Sequence, residues 1–173
     1  MVVYYSDVRQ FGWLRLMPAG DVATAIDAFR FGPEAGGGET VDPVALGSRL
    51  ARRSVPIKVA LLDQRVVAGL GNIYVDEALH AAAIHSTTPA NSLCEKTIAR
   101  LARAISWAID EGLAQGGATI VHQRAHPING FPRVHGWQGL ACTACGDTIV
   151  KIRVGARGTY LCPTCQPAFT GGN

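Results

Sequence analysis

Cys142-Thr-Ala-Cys145 and Cys162-Pro-Thr-Cys165, with sixteen residues between them, decide the reading of this chain. A CxxC turn presents two thiolates from one tight bend, and two such knuckles complete a tetrahedral Cys₄ zinc site. The intervening segment reads as a hairpin. Thr148–Val154 alternates like a strand, Gly155-Ala-Arg-Gly158 is the turn, and Thr159-Tyr-Leu161 returns. The expectation is a zinc ribbon whose metal is structural, because all four ligand positions are protein thiolates and none is left for water. Two disulfides in a secreted module are the alternative. The first residues carry no signal-peptide pattern, and the rest of the chain has a cytosolic composition. A ribbon of about thirty residues buries too little apolar surface to fold without its metal.

The remaining residues suit a packed globular chain of one domain plus this small appendage. The 173 residues are 48% hydrophobic and 17% charged. No apolar run approaches a membrane span. The net charge of +3 hides an asymmetry: residues 1–91 carry eight Lys/Arg against nine Asp/Glu, and residues 92–173 carry eight against four. Arginine outnumbers lysine thirteen to three. Arginine suits bidentate phosphate and base contacts, although a GC-rich genome produces the same bias.

Residues 2–17 read as strand material around Asp7-Val-Arg9-Gln-Phe11-Gly12, and two strands do not make an independent sheet. Residues 18–41 read as a loop-rich linker. Asp42-Pro43 predicts an N-cap and a first helical proline, opening a helix to about Arg53. A short helix is expected from Ile57 to Asp63. In Gly69-Leu-Gly71-Asn72 the glycines break the pattern, and Asn72 is expected to cap a helix reaching about Ala83. A glycine turn entering a helix exposes N–H groups that suit phosphate, although most such turns are plain connections. Ser92-Leu-Cys-Glu95 reads as a capping box for the longest helix. That helix carries a buried stripe of Cys94, Ile98, Leu101, Ile105, Ala108 and Ile109, with Cys94 as a small core residue. Gly116-Gly117 ends it. Residues 118–137 read as a basic loop whose histidines, His122, His126 and His135, follow no ligand spacing and face solvent or phosphate. Asp76 and Glu77 are adjacent on a helix and point apart, which suits capping or packing better than acid–base work.

Taken together, these motifs resemble the formamidopyrimidine-DNA glycosylase and endonuclease VIII family. The resemblance rests on Lys58…Leu62-Asp63-Gln64…Val67-Ala-Gly-Leu-Gly71-Asn72-Ile-Tyr74-Val-Asp76-Glu77, on Arg157-Gly-Thr159 before Cys162-Pro-Thr-Cys165-Gln166, and on Asp7-Val-Arg9-Gln-Phe11-Gly12 followed by Phe31-Gly-Pro-Glu34. It covers almost the whole chain in the family's order. It implies a mainly α fold: a helix–two-turns–helix bundle, an N-terminal β-hairpin remnant and a C-terminal β-hairpin zinc ribbon. The expected divisions are a remnant hairpin at 1–17, a linker at 18–41, the DNA-binding helical domain at 42–117, a lesion-covering type of loop at 118–137 and the ribbon at 138–168. The resemblance also implies one structural zinc on Cys142, Cys145, Cys162 and Cys165. Asn72 and Arg157 are expected to contact phosphates around the lesion, with Lys58 near the same backbone. Arg9 and Phe11 are expected to enter the duplex where a damaged nucleotide is flipped out.

The chain departs from the family pattern in four places. His135-Gly-Trp137 stands where Tyr-Gly-Arg is usual, and Ser86 where Pro is preferred. The 118–137 loop is short. The family's catalyst is an N-terminal proline with a glutamate beside it, whereas this chain begins Met1-Val2-Val3 and its first glutamate is Glu34. The expectation is a truncated bacterial, cytoplasmic, nucleoid-associated repair protein, monomeric, that binds damaged or abasic double-stranded DNA without efficient excision and has no membrane partner. No residue is assigned a catalytic role. Two alternatives stand: a glycosylase and abasic-site lyase completed by a missing N-terminal domain, and a zinc-ribbon interaction module.

Overall fold

Two units divide the chain, residues 1–30 and 31–173. The computed structural model describes residues 2–6, 12, 14–36, 40–117, 120–121, 124–125 and 130–170. In the first unit, one 3-10 turn at Ala19–Asp21 leads into α1 (Val22–Asp27). The stretch expected to be linker therefore contains a helix, which follows Pro18 and includes Ala23 and Ala25, residues of strong helix propensity. The described residues of 2–17 form no strand. Arg9 and Phe11, at the centre of the expected hairpin, lie outside the described residues.

The second unit is built on four helices: α2 (Pro43–Leu50), α3 (Ile57–Leu61), α4 (Asn72–Ala81) and α5 (Glu95–Ala114). The Asp42 side chain accepts from the N–H groups of Val44 and Ala45, both at 3.1 Å, so the expected cap of α2 is formed. Such a cap contributes about 1 kcal/mol. Leu46 and Leu50 of α2, Val75 and Leu79 of α4, and Leu101 and Ile105 of α5 share one core with no exposed surface. Each buried aliphatic side chain contributes roughly 1.5–3 kcal/mol. A Cβ on Gly112 of α5 would clash with the Tyr74 ring of α4, so glycine permits that close approach.

Three local expectations are corrected. Cys94 is the N-cap of α5 and is exposed, not part of its buried stripe. Ser92 does not close a capping box: it ends a 3-10 turn, Ala90–Ser92, and its hydroxyl donates to the Pro89 carbonyl at 2.8 Å. Asn72 is the first residue inside α4, and Gly71 occupies the cap position.

Beyond α5 come β1 (Ile120–Val121) and β2 (Arg124–Ala125), a short antiparallel pair. The ribbon consists of β3 (Val150–Val154) and β4 (Arg157–Leu161), antiparallel in the register Val154↔Arg157 to Val150↔Leu161. The turn is thus only Gly155-Ala156. Gly155 has φ +58°, the left-handed conformation that two-residue hairpins place on glycine. Arg157 and Gly158, expected in the turn, belong to β4. Val134, Ile149, Cys142 and Cys162 form a second, small core against which Trp137 and Tyr160 pack. Phe131 belongs to the helical core and Val134 to the ribbon core, so the segment 130–135 joins the two.

Candidate nucleic-acid interface and metal centre

Two sequence-predicted residues converge on the backbone carbonyl next to a third. Lys58 Nζ and Asn72 Nδ2 each donate to the Gly158 oxygen at 3.1 Å, and Arg157 is the residue before it in β4. The three elements involved, α3, α4 and β4, meet there. Arg157 is exposed, Asn72 is half-buried and Lys58 has no exposed surface. Arg157 lies close enough that its charge adds to burial in lowering the Lys58 amine below its ordinary value; burial is the larger cause, and Asp76 opposes both.

The Asn72 amide is used in one direction. One Nδ2 proton is given to Gly158, and among the described residues Oδ1 is buried without a donor and the second Nδ2 proton meets no acceptor. Beside it, the first turn of α4 has N–H groups without intrahelical acceptors. The preceding turn is set by Gly69 at φ +85° and is held by Gln64, whose Oε1 accepts from Gly69 N at 2.8 Å and whose Nε2 donates to the Leu70 carbonyl at 3.1 Å. Nothing local in the sequence marks Gln64 for this role. On β3, Lys151 and Arg153 are exposed on one face, cross-strand from Tyr160 and Gly158, whereas Arg157, paired with Val154, projects from the other face of the hairpin.

Behind this surface lies a buried acidic pair on α4. Asp76 Oδ1 accepts from Lys58 Nζ at 2.6 Å, and Oδ2 lies 2.7 Å from His135 Nδ1 and accepts from Tyr160 N at 3.2 Å. Glu77 accepts from the N–H groups of Arg133 (2.7 Å), Val134 (2.9 Å) and His135 (2.8 Å). Burial raises the Glu77 carboxyl above its ordinary value, and these three donors pull the other way. Both acids are packing anchors, as their adjacent placement suggested. His135 faces Asp76 rather than solvent, which corrects its expected exposure. His122 and His126 lie outside the described residues.

The four ribbon cysteines fit a metal. All four Sγ atoms lie within 4.8 Å of one another. Cys145 Sγ and Cys162 Sγ are 3.4 Å apart, and Cys142 Sγ and Cys165 Sγ 3.9 Å. A zinc with Zn–S bonds near 2.3 Å places its sulfurs about 3.8 Å apart, whereas a disulfide requires about 2.05 Å. The thiols are unpaired and match the zinc geometry. Backbone turns shape the knuckles: Gly146 N donates to the Cys142 carbonyl and Gln166 N to the Cys162 carbonyl. Gln166 also fastens the second knuckle to the helical core, accepting from Cys162 N and donating to the Ile84 carbonyl at 2.8 Å. Between the knuckles, Asp147 Oδ2 accepts from the Thr164 hydroxyl at 2.6 Å.

Comparison with known proteins agrees with this geometry. Residues 31–124 match the formamidopyrimidine-DNA glycosylase H2TH domain, and residues 139–168 match the zinc finger found in FPG and IleRS. The chain is 41% identical over 171 residues to a formamidopyrimidine-DNA glycosylase of Gloeobacter violaceus, covering 95% of this chain and 60% of that protein. Its counterpart in Bacillus subtilis is 40% identical over 168 residues, with 94% and 60% covered. Among solved structures, a complex of Lactococcus lactis Fpg with DNA containing an abasic site superposes with a TM-score of 0.85 at 36% identity. A complex of the same protein with DNA containing FAPY-dG gives 0.85 and 36%. Both superpositions cover 95% of this chain, and 62% and 61% of those chains respectively. The chain thus spans about 60% of the length of the relatives it matches. No helix among the described residues is long and apolar enough to cross a membrane.

Proposed function

The chain belongs to the formamidopyrimidine-DNA glycosylase family, and from that premise we propose that it binds duplex DNA carrying a damaged base or an abasic site. The observation that carries this reading is the convergence of Lys58 and Asn72 on the carbonyl beside exposed Arg157. It brings the start of α4 and the basic hairpin to one place. Arg157, the spare Asn72 proton and the N–H groups opening α4 then take the phosphates flanking the lesion. Lys58 is the strut under this surface. Residues 42–117 supply the helical part of the binding surface and 138–168 the ribbon part, with 118–137 beside the lesion.

Phe11 acts as the wedge and Arg9 as the partner of the orphaned base. An abasic site favours this mode because its unstacking cost is already met. The protein works as a monomer in the bacterial cytoplasm, at the nucleoid. Fluorescence anisotropy with an abasic-analogue duplex and its intact counterpart tests the reading. Tighter binding to the abasic duplex, lost in Phe11→Ala while non-specific binding remains, supports it; equal affinities count against it.

Excision chemistry is proposed to depend on residues beyond these. A covalent imine needs an unprotonated amine held against the sugar carbon, and misplacement by about 1 Å costs about a hundredfold. Val2, Val3 and Tyr4 are 74%, 73% and 92% exposed, so in a polypeptide of these 173 residues the segment next to the terminal amine is not packed. Borohydride reduction of that polypeptide with an abasic duplex should trap little covalent complex. Efficient trapping, abolished by blocking the N-terminal amine, would reverse this part of the reading.

A further inference from the structure

One ring of α4 reaches the metal centre. His80 Nε2 lies 3.4 Å from Cys142 Sγ, and both groups are buried. His80 stands one helical turn after Asp76, so the two project from the same face of α4 toward the ribbon. Asp76 meets the ribbon backbone at Tyr160 N, and His80 meets the metal-binding sulfur itself.

We propose that His80 is an outer-shell ligand of the zinc, donating its Nε2–H to the Cys142 thiolate. The inference rests on the Cys₄ zinc centre described above. A zinc-bound thiolate has no proton and only accepts, so the ring nitrogen facing it carries the hydrogen. In the neutral ring this fixes the tautomer: Nε2 protonated, Nδ1 bare. Four thiolates outweigh the charge of the ion by two, and donors to sulfur spread that excess. The helix that holds Asn72 at its start holds His80 near its end, so metal loading and the position of the glycine turn share one rigid element.

Outer-shell partners of this kind typically change metal affinity by about 10–100-fold. The test uses the full zinc-loaded chain and a chromogenic chelator, with the zinc-release rate as readout. His80→Phe keeps a ring of similar bulk and removes the donor. His80→Gln places an amide N–H near the former Nε2. The expected result is release about tenfold faster in His80→Phe, with His80→Gln close to the unaltered chain. Equal release from His80→Phe and the unaltered chain overturns the proposal. Equally fast release from both variants also overturns it, since a packing role alone produces that outcome. A measurement without substitution stands beside these. Nitrogen-edited NMR of the zinc-loaded chain should show the Nε2-protonated tautomer. With NMR-active cadmium in place of zinc, the Nε2 proton should show scalar coupling to the metal through the sulfur. A ring protonated at Nδ1 alone contradicts the proposal.

Discussion

Lys58 Nζ and Asp76 Oδ1 lie 2.6 Å apart, and neither side chain has any exposed surface. The lysine is therefore committed inward, to Asp76 and to the Gly158 carbonyl, and serves to set the height of the Arg157 hairpin above α3 and α4. Removing one member of a buried pair leaves the other charge uncompensated. Lys58→Met and Asp76→Asn should each destabilise the protein by about 3–5 kcal/mol. The double variant should cost clearly less than the sum of the two. Urea unfolding of the four proteins measures the coupling; simple additivity would show that the pair is not interacting.

Glu77 holds the segment 133–135 by three backbone hydrogen bonds. Glu77→Gln keeps one acceptor oxygen but turns an amide toward a backbone N–H, a donor against a donor. It should cost about 1–3 kcal/mol. Glu77→Ala, which orphans three buried donors, should cost more. Amide hydrogen exchange at Arg133, Val134 and His135 is the specific readout. Unchanged protection at those three positions would remove Glu77 from this role.

The metal centre predicts a thiol count. Cys94 is exposed at the start of α5, and the other four cysteines surround the zinc site. One thiol per chain should react rapidly in the zinc-loaded protein, and five after chelation. Cys94→Ala should abolish the first without altering zinc content, and Cys142→Ser should lower zinc content and the melting temperature together. Slow or absent reaction at Cys94 would contradict its placement.

Asp63 closes the turn after α3. Arg65, by side chain and backbone, and then Arg53 hold its carboxyl well below the usual carboxylate range. The unfolded chain protonates this group near pH 3.9. The stabilisation is therefore complete above about pH 4 and fades as pH falls through the lower folded value. It is a modest, partly solvent-screened contribution. The melting-temperature difference between the unaltered chain and Asp63→Asn should be present at pH 7 and shrink toward pH 2. A difference that grows on acidification would reverse the sign.

Features written in adjacent residues were legible in the sequence. The zinc ligands follow from two short spacings, and the α2 cap from Asp42-Pro43. Cys94 was misplaced because periodicity does not mark where a helix begins. A stripe in phase with Ile98 includes position 94 whether or not it is helical. Ser92 and Glu95 match a capping box, but the Pro89 carbonyl took the serine hydroxyl. The partners of Asp76, Glu77 and His80 lie 18 to 84 residues away. No local pattern encodes those pairings, so the site's supporting layer became visible only in the fold. Asn72 illustrates both sides. Its place at the glycine turn was legible, but its bond to Gly158, 86 residues away, was not.

The affinity for an abasic-analogue duplex as a function of salt, compared between the unaltered chain and Arg157→Ala, tests DNA binding at this surface most directly. Each neutralised phosphate contributes a slope of about −0.9 in log affinity against log salt. Two or three contacts at the hairpin and the start of α4 predict a slope of about −2 to −3. Arg157→Ala should make the slope shallower by about 1 and weaken binding at every salt concentration. An affinity that is flat with salt and indifferent to Arg157→Ala would show that this surface does not hold DNA.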